Sequence, residues 1–313
     1  MKTIYLDNNA TTQVAPEVLE TMLPYFSELY GNPSSMHSFG GQVSKTIQHA
    51  RENVASLIGA DPEEIIFTSC GTESDNTAIM SALSVAPDKS HIITSRVEHP
   101  AVKVLCEHLT QRGYRVTELP VDRDGRLDME LFENSLSRDT AVVSLMWANN
   151  ETGVIFPVER AAQLAHERGI LFHTDAVQAV GKIPINMRAN NIDMLSFSGH
   201  KLHAPKGIGV LYIRKGTRFL PFMLGGHQEK GRRGGTENTA SIAGLGKACQ
   251  LAARNVETEN TRVKYLRDKL EDELLKSIPN SKVNGDRTNR LPNTTNISFE
   301  FIEGEGILLL MDQ

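Results

Sequence analysis

Cysteine is scarce in this sequence of 313 residues: Cys70, Cys106 and Cys249 are its three copies, and they lie far apart. They form no Cys-x-x-Cys pair and no His–Cys cluster at metal-ligand spacing, which argues against a zinc module or dithiol redox motif, so no metal is expected. An odd number of unpaired thiols fits a reducing compartment, and the cytoplasm is the expected location. Positive charge is also in short supply. With 33 Lys and Arg against 38 Asp and Glu, the net charge is −5, which lacks the basic footprint of a nucleic-acid binder. Long apolar runs are missing as well. The longest, residues 307–311, is far short of the ~20 residues that cross a bilayer. The amino-terminal residues hold no apolar core of signal-peptide length. No membrane partner is expected, and there are no internal repeats or low-complexity segments.

What the sequence does hold is an alternation. The spacing predicts a helix over 42–57, a strand over 64–68 and a helix from about residue 73. Strands are expected over 91–95, 141–147, 171–175 and 194–198, mostly with helices between them, then a turn and a strand over 210–213. Short apolar runs of this kind read as buried parallel strands. The fold class is therefore α/β, a mostly parallel sheet flanked by helices on both faces. A long helical stretch covers 239–277, with 254–259 as a junction; a short strand near 282–283, a strand over 296–301 and a helix from 303 follow. This order predicts a large domain of residues 16–256 and a smaller α+β domain of residues 1–15 plus 257–313. The smaller one reads as an incomplete layer, and the last helix runs to Gln313 without a stop signal. A truncated chain is expected.

Two strand ends carry the chemistry. The run 169–174 leads into Asp175-Ala176-Val177-Gln178, and the run 192–197 leads into Ser198-Gly199-His200-Lys201. Catalytic groups of parallel sheets gather at the carboxyl ends of strands. A pyridoxal-phosphate (PLP) site needs an acid facing the pyridinium nitrogen and a lysine for a Schiff base, and Asp175 and Lys201 are the matching pair. Thr68-Ser69-Cys70-Gly71-Thr72-Glu73 follows a strand and opens a helix; it reads equally as a phosphate cradle or as an ordinary helix N-cap with an acid in the first turn. His99, in Glu98-His99-Pro100, would lie over a pyridine ring or be a plain surface residue. Asn149-Asn150-Glu151-Thr152-Gly153 offers amides to the ring oxygen, or simply makes a turn. Gln178, one turn into an expected helix, would reach the same oxygen.

Taken together, Leu6-Asp7-Asn8-Asn9-Ala10-Thr11-Thr12, Gly31-Asn32-Pro33-Ser34-Ser35-Met36-His37 and the stretches just quoted resemble the class V, fold-type I PLP enzymes. With Gly225-Gly226-His227-Gln228-Glu229 and Arg232-Arg233-Gly234-Gly235-Thr236-Glu237-Asn238, the chain more narrowly resembles the NifS/IscS-type cysteine desulfurases. The resemblance implies L-cysteine as substrate, L-alanine as product and a persulfide that supplies sulfur for iron–sulfur cluster assembly, with a scaffold or other acceptor protein as partner. It makes Lys201 the Schiff-base lysine, Asp175 the partner of the ring nitrogen and His99 both the stacking residue and the base for the substrate thiol. Asn150 and Gln178 go to the ring substituents, and Gly71, Thr72, Ser198 and His200 to the phosphate. Thr236 would reach the phosphate of a neighbouring subunit, which implies a homodimer. Family members carry the nucleophilic cysteine in a Ser/Gly-rich loop just after the helix that here ends at Gln313, and an arginine for the substrate carboxylate beyond it. Neither position lies within the 313 residues, and no cysteine present is expected to substitute. The alternatives are another class V enzyme, such as a selenocysteine lyase or an aminotransferase, or an inactive PLP-binding fragment.

Overall fold

The computed structural model describes residues 4–312; the parts of the expectations above that fall on residues 1–3 and on Gln313 lie outside them. Helices α1 (Pro16–Met22), α2 (Pro24–Ser27) and α3 (Ser38–Ile58) precede the first strand, β1 (Ile65–Thr68). Then come α4 (Gly71–Val85), β2 (His91–Ser95), α5 (Pro100–Gln111), β3 (Arg115–Leu119), α6 (Met129–Ser135) and β4 (Thr140–Met146). Next are α7 (Val158–His166), β5 (Leu171–Asp175), β6 (Met194–Ser198) and β7 (Gly209–Ile213). The chain continues through α8 (Thr239–Thr258), α9 (Lys264–Ser277), the antiparallel pair β8 (Ser281–Val283) and β9 (Ile297–Phe299), and α10 (Gly304–Met311).

One seven-stranded sheet organises the chain, in the order β1-β7-β6-β5-β4-β2-β3. Every pairing is parallel except those of β7, which runs antiparallel to β1 and β6. Strands β2, β4, β6 and β7 are buried at every residue. That is why they read as continuous apolar runs: helices cover both faces. At the edge, β3 exposes Arg115 and Glu118, and these polar residues break the run that would have marked it as a strand.

The segment after Asp175 is not the expected helix. Residues 176–183 fold as turns, with the amides of Ala179 and Val180 both on the carbonyl of Ala176 at 3.0 Å. Gly181 takes φ 76°, and a Cβ there would meet Leu202 at 2.4 Å. A residue forced into that backbone region, followed by Pro184, stops a helix before it can propagate. The helical stretch over 239–277 is one continuous path, with a π turn at Glu259–Val263 that starts at the last residue of the junction read at 254–259. There Asn260 Nδ2 donates to the carbonyls of Val256 and Lys182, both at 2.8 Å. Among the described residues, no helix is long and apolar enough to cross a membrane.

Candidate active site

The carboxyl ends of β1, β2, β4, β5 and β6 open onto one cavity of about 370 Å³. Gly71, Thr72, His99, Asn150, Asp175, Gln178, Ser198, His200 and Lys201 all line it. Residues up to 130 positions apart thus meet because parallel strands deliver their ends to one edge of the sheet. Thr236 does not join them. It lies in a separate recess beside Ser69, Arg233 and Asn238.

The start of α4 carries features of both readings of its motif. Cys70 occupies the N-cap position in an extended conformation and makes no side-chain cap bond. The first-turn N–H groups therefore keep the free donors and positive end that favour an anion. Glu73 reaches back to the Ser69 N–H at 2.8 Å, one turn before the cavity-lining amides. A Cβ on Gly71 would come within 3.0 Å of Val177 and 3.6 Å of Ser198, so glycine lets the helix start close onto the ends of β5 and β6.

Asp175 is buried, and Oδ1 accepts the Val177 N–H at 2.9 Å. Burial raises its pKa, while the Val177 hydrogen bond and the charges of His99 and Lys201 oppose the rise. Lys201 is shifted the other way: burial lowers its pKa, against the pull of Asp175, Asp7 and Glu151. Its amine donates to the main-chain carbonyls of Asn9 and Ala10, the latter at 2.8 Å. His99 caps α5, with Nδ1 accepting the Ala101 N–H at 3.1 Å. In its neutral form that bond places the ring proton on Nε2. His200 Nδ1 pairs with the Thr11 hydroxyl at 3.1 Å, and burial, then the nearby Lys201 charge, push its pKa down to about 4. The two asparagines divide their labour. Asn149 builds the turn, its Oδ1 accepting from the amides of Glu151 and Thr152 at 3.0 and 2.9 Å, while Asn150 faces the cavity.

Three groups at or behind the cavity were not singled out from the sequence. Glu98 is 6% exposed; its Oε1 accepts from Ser95 Oγ at 2.7 Å and the Met146 N–H at 3.0 Å. Its Oε2 has no partner among the described residues. Burial, helped by the Asp175 charge, pushes this carboxyl up to about 8. Asp75, also buried, lines the cavity with Oδ1 3.6 Å from His173 Nε2, and burial followed by repulsion from Asp175 raises its pKa. Asn9 connects the amino-terminal segment to the cavity wall. Glu98 and Asn9 lie inside the motifs quoted above and Asp75 two residues beyond one, and for Glu98 a signal was available: an acid between a buried strand and His99 needs a reason to be there.

A family model described as aminotransferase class-V matches residues 4–313. The chain belongs to the class-V aminotransferase family. Within that family it is 59% identical over 314 residues to the cysteine desulfurase NifS of Azotobacter vinelandii, a match that takes in 100% of this chain and 78% of that protein. A solved NifS-like protein superposes with a TM-score of 0.96 at 39% identity, covering 99% of this chain and 86% of that one. The structure of SspA in complex with cysteine superposes with a TM-score of 0.87 at 36% identity, covering 99% of this chain and 87% of that one. The mostly parallel sheet with its flanking helices is the class-V, fold-type I architecture.

Proposed function

We propose that this chain is a PLP-dependent cysteine desulfurase that converts L-cysteine to L-alanine and passes the sulfur to the thiolate of an acceptor cysteine other than Cys70, Cys106 and Cys249, where it becomes a persulfide. The reaction needs no oxidant: the C–S bond breaks, an S–S bond forms, and Cβ gains the hydrogen that the thiol loses. The supporting observation is Lys201 and Asp175 on the walls of one cavity, in a chain 59% identical to NifS.

The cavity residues fit PLP. The uncapped start of α4, with Gly71, Thr72, Ser198 and His200, suits a phosphate. The buried Asp175 carboxylate suits a protonated ring nitrogen, since a positive N–H would offset the cost of burying that charge. His99 would cover the ring, and Gln178 and Asn150 would take its oxygen substituent. When bound, PLP supplies an electron sink for charge developing at the substrate Cα. Lys201, whose amine is held with a lowered pKa, takes and returns the proton at that carbon. His99 takes the proton of the substrate thiol. Asp175 keeps the ring nitrogen charged.

Two cysteines are poor sulfur acceptors. Cys106 and Cys249 are buried; burial pushes the first thiol up to about 12 and the second up as well, and the thiolate is the form that attacks. Cys70 is half-buried in the cavity wall, and we read it as a wall residue.

A homodimer is part of the reading. Thr236 stands apart from its own chain's cavity, and the neighbouring Leu220, Phe222, Met223 and Leu224 are exposed apolar residues. These two facts support Thr236 completing the phosphate site of a second copy. Iron–sulfur cluster assembly is proposed as the destination of the sulfur, with a scaffold protein as acceptor. The free cysteines suit the cytoplasm.

The test is direct. Purified protein mixed with PLP should gain a visible band that changes on adding L-cysteine, with alanine and sulfide released in the presence of a thiol. Mass spectrometry should find no added sulfur on Cys70, Cys106 or Cys249. No band, or no spectral response to cysteine, would reject the proposal; sulfur on Cys70 would reject its reading as a wall residue.

A further inference from the structure

Asn9 binds four separate parts of the chain. Its carbonyl accepts from Gln178 Nε2 at 3.0 Å and from the Lys201 amine. Its side-chain Nδ2 donates to the Asn150 carbonyl at 3.1 Å and to Thr294 Oγ1 at 3.0 Å. Its Oδ1 accepts from Asn293 Nδ2 at 3.2 Å and from Thr294 Oγ1 at 3.3 Å. The strand ends of β4, β5 and β6 and the loop before β9 are thus fastened to one residue.

Both sides of this junction are anchored. Thr294 is buried, and its carbonyl accepts from Arg267 Nη1 of α9 at 2.9 Å. The same guanidinium nitrogen also donates to the Leu291 carbonyl at 2.9 Å. On the other side, Thr12 donates through its amide and its hydroxyl to the His200 carbonyl, at 3.0 and 2.8 Å. Residues 9–12 therefore run along the turn that carries Lys201, tied down one residue before it.

We propose that Asn9 is a positioning residue for Lys201: the carbonyls of Asn9 and Ala10 aim the lysine amine, and the Asn9 side chain locks those carbonyls to Asn150 and Thr294. The inference rests on the reading of Lys201 as the proton carrier. An amine that must shuttle a proton needs a fixed direction as well as a suitable pKa. Two carbonyl acceptors supply the direction, because each takes one N–H. They also favour the ammonium over the neutral amine, since a carbonyl stabilises a charged donor more strongly. Around the same amine stand Asp175 at the end of β5, Asp7 of the amino-terminal segment and Glu151 beyond β4. His200, beside it on the same turn, and His99 at the start of α5 complete the titratable surroundings. Loosening Asn9 leaves Asp175, His99 and His200 on their own elements and frees the carbonyl clamp.

The test compares Asn9→Ala, Thr294→Val and Thr294→Ser with wild type. In the full chain freed of cofactor and checked for native circular dichroism, Lys201 is acetylated with acetic anhydride across a pH series and quantified by mass spectrometry, relative to Lys269. Asn9→Ala and Thr294→Val should speed acetylation of Lys201 about threefold or more near pH 8, because losing acceptors lowers the amine pKa. Thr294→Ser should restore the wild-type rate. Thr294→Val carries the comparison if Asn9→Ala does not fold. Unchanged acetylation in the folded variants would overturn the inference, and so would an equal rise at Lys182, whose ion pair with Glu259 reports general loosening. The visible band of the PLP-loaded wild type judges the cofactor reading separately. A band with Asn9-insensitive acetylation rejects this inference alone; no band with Asn9-sensitive acetylation rejects the cofactor reading alone.

Discussion

Arg233 grips Glu73 at two points, Nε to Oε1 at 2.8 Å and Nη2 to Oε2 at 3.1 Å. Glu73 sits in the first turn of α4 and holds the Ser69 amide. The pair therefore ties the loop bearing Thr236 to the helix start bearing Gly71 and Thr72. Burial would raise the Glu73 pKa, but the hydrogen bonds from Arg233 and Ser69 win and lower it. Both side chains are mostly covered, at 18% and 8% exposure, so removing one leaves the other uncompensated.

Arg233→Ala should destabilise the protein by about 1–3 kcal/mol and weaken PLP binding several-fold. Urea unfolding and a PLP titration would measure the two effects. The sign with pH follows from the lowered Glu73 pKa. The contribution is complete above its ordinary value of 4.5 and is lost as pH falls through the depressed value. Wild type and variant should therefore converge in acid. Divergence below pH 4.5 would contradict the assignment.

Lys201→Ala should abolish the visible band of the PLP-loaded protein while leaving its thermal unfolding near that of wild type. Lys201 is partly buried, but its contacts are to main-chain carbonyls that water can satisfy. A persistent band of wild-type position would assign the lysine link elsewhere.

Asp175→Ala should slow cysteine turnover more than it weakens PLP affinity. A charge-assisted contact of this kind is worth about 1.5–3 kcal/mol, and the effect should fall on the chemical step because the acid keeps the ring nitrogen protonated. Rapid-mixing spectra after addition of cysteine would show it. A wild-type rate would remove Asp175 from the site.

Glu98→Gln should stabilise the protein increasingly as pH rises from 4.5 to 8. The folded carboxyl keeps its proton up to about 8, while the ordinary value is 4.5. Over that interval only the unfolded chain gains by ionising, so wild-type stability falls as pH rises. Glutamine copies the neutral acid and removes the loss, a difference on the order of 2–5 kcal/mol at pH 8. Urea midpoints at pH 5 and pH 8 decide it, and an equal gap at both would refute a protonated Glu98.

The strands His91–Ser95, Leu171–Asp175 and Met194–Ser198 have the bounds that the apolar runs predict. A strand covered on both faces must be apolar along its whole length, so its ends stand out where polar residues resume. Asp175 and Lys201 were legible for that reason, whereas the other cavity-lining residues named with them were expected through the family resemblance. The hydrophobic pattern is a local property, and the primary sequence by itself determined these features.

Other features are not local. The antiparallel direction of β7, the edge position of β3 and the turns after Asp175 depend on which neighbours each segment meets. Tertiary structure alone decided that the Glu98 carboxyl is raised, because burial, helped by the Asp175 charge, sets that balance. It alone brought Asn9 to Thr294 across 285 positions of sequence. No periodicity encodes such a bond: it exists because the sheet delivers several strand ends to one edge, and because the polar groups enclosed there must find partners in one another.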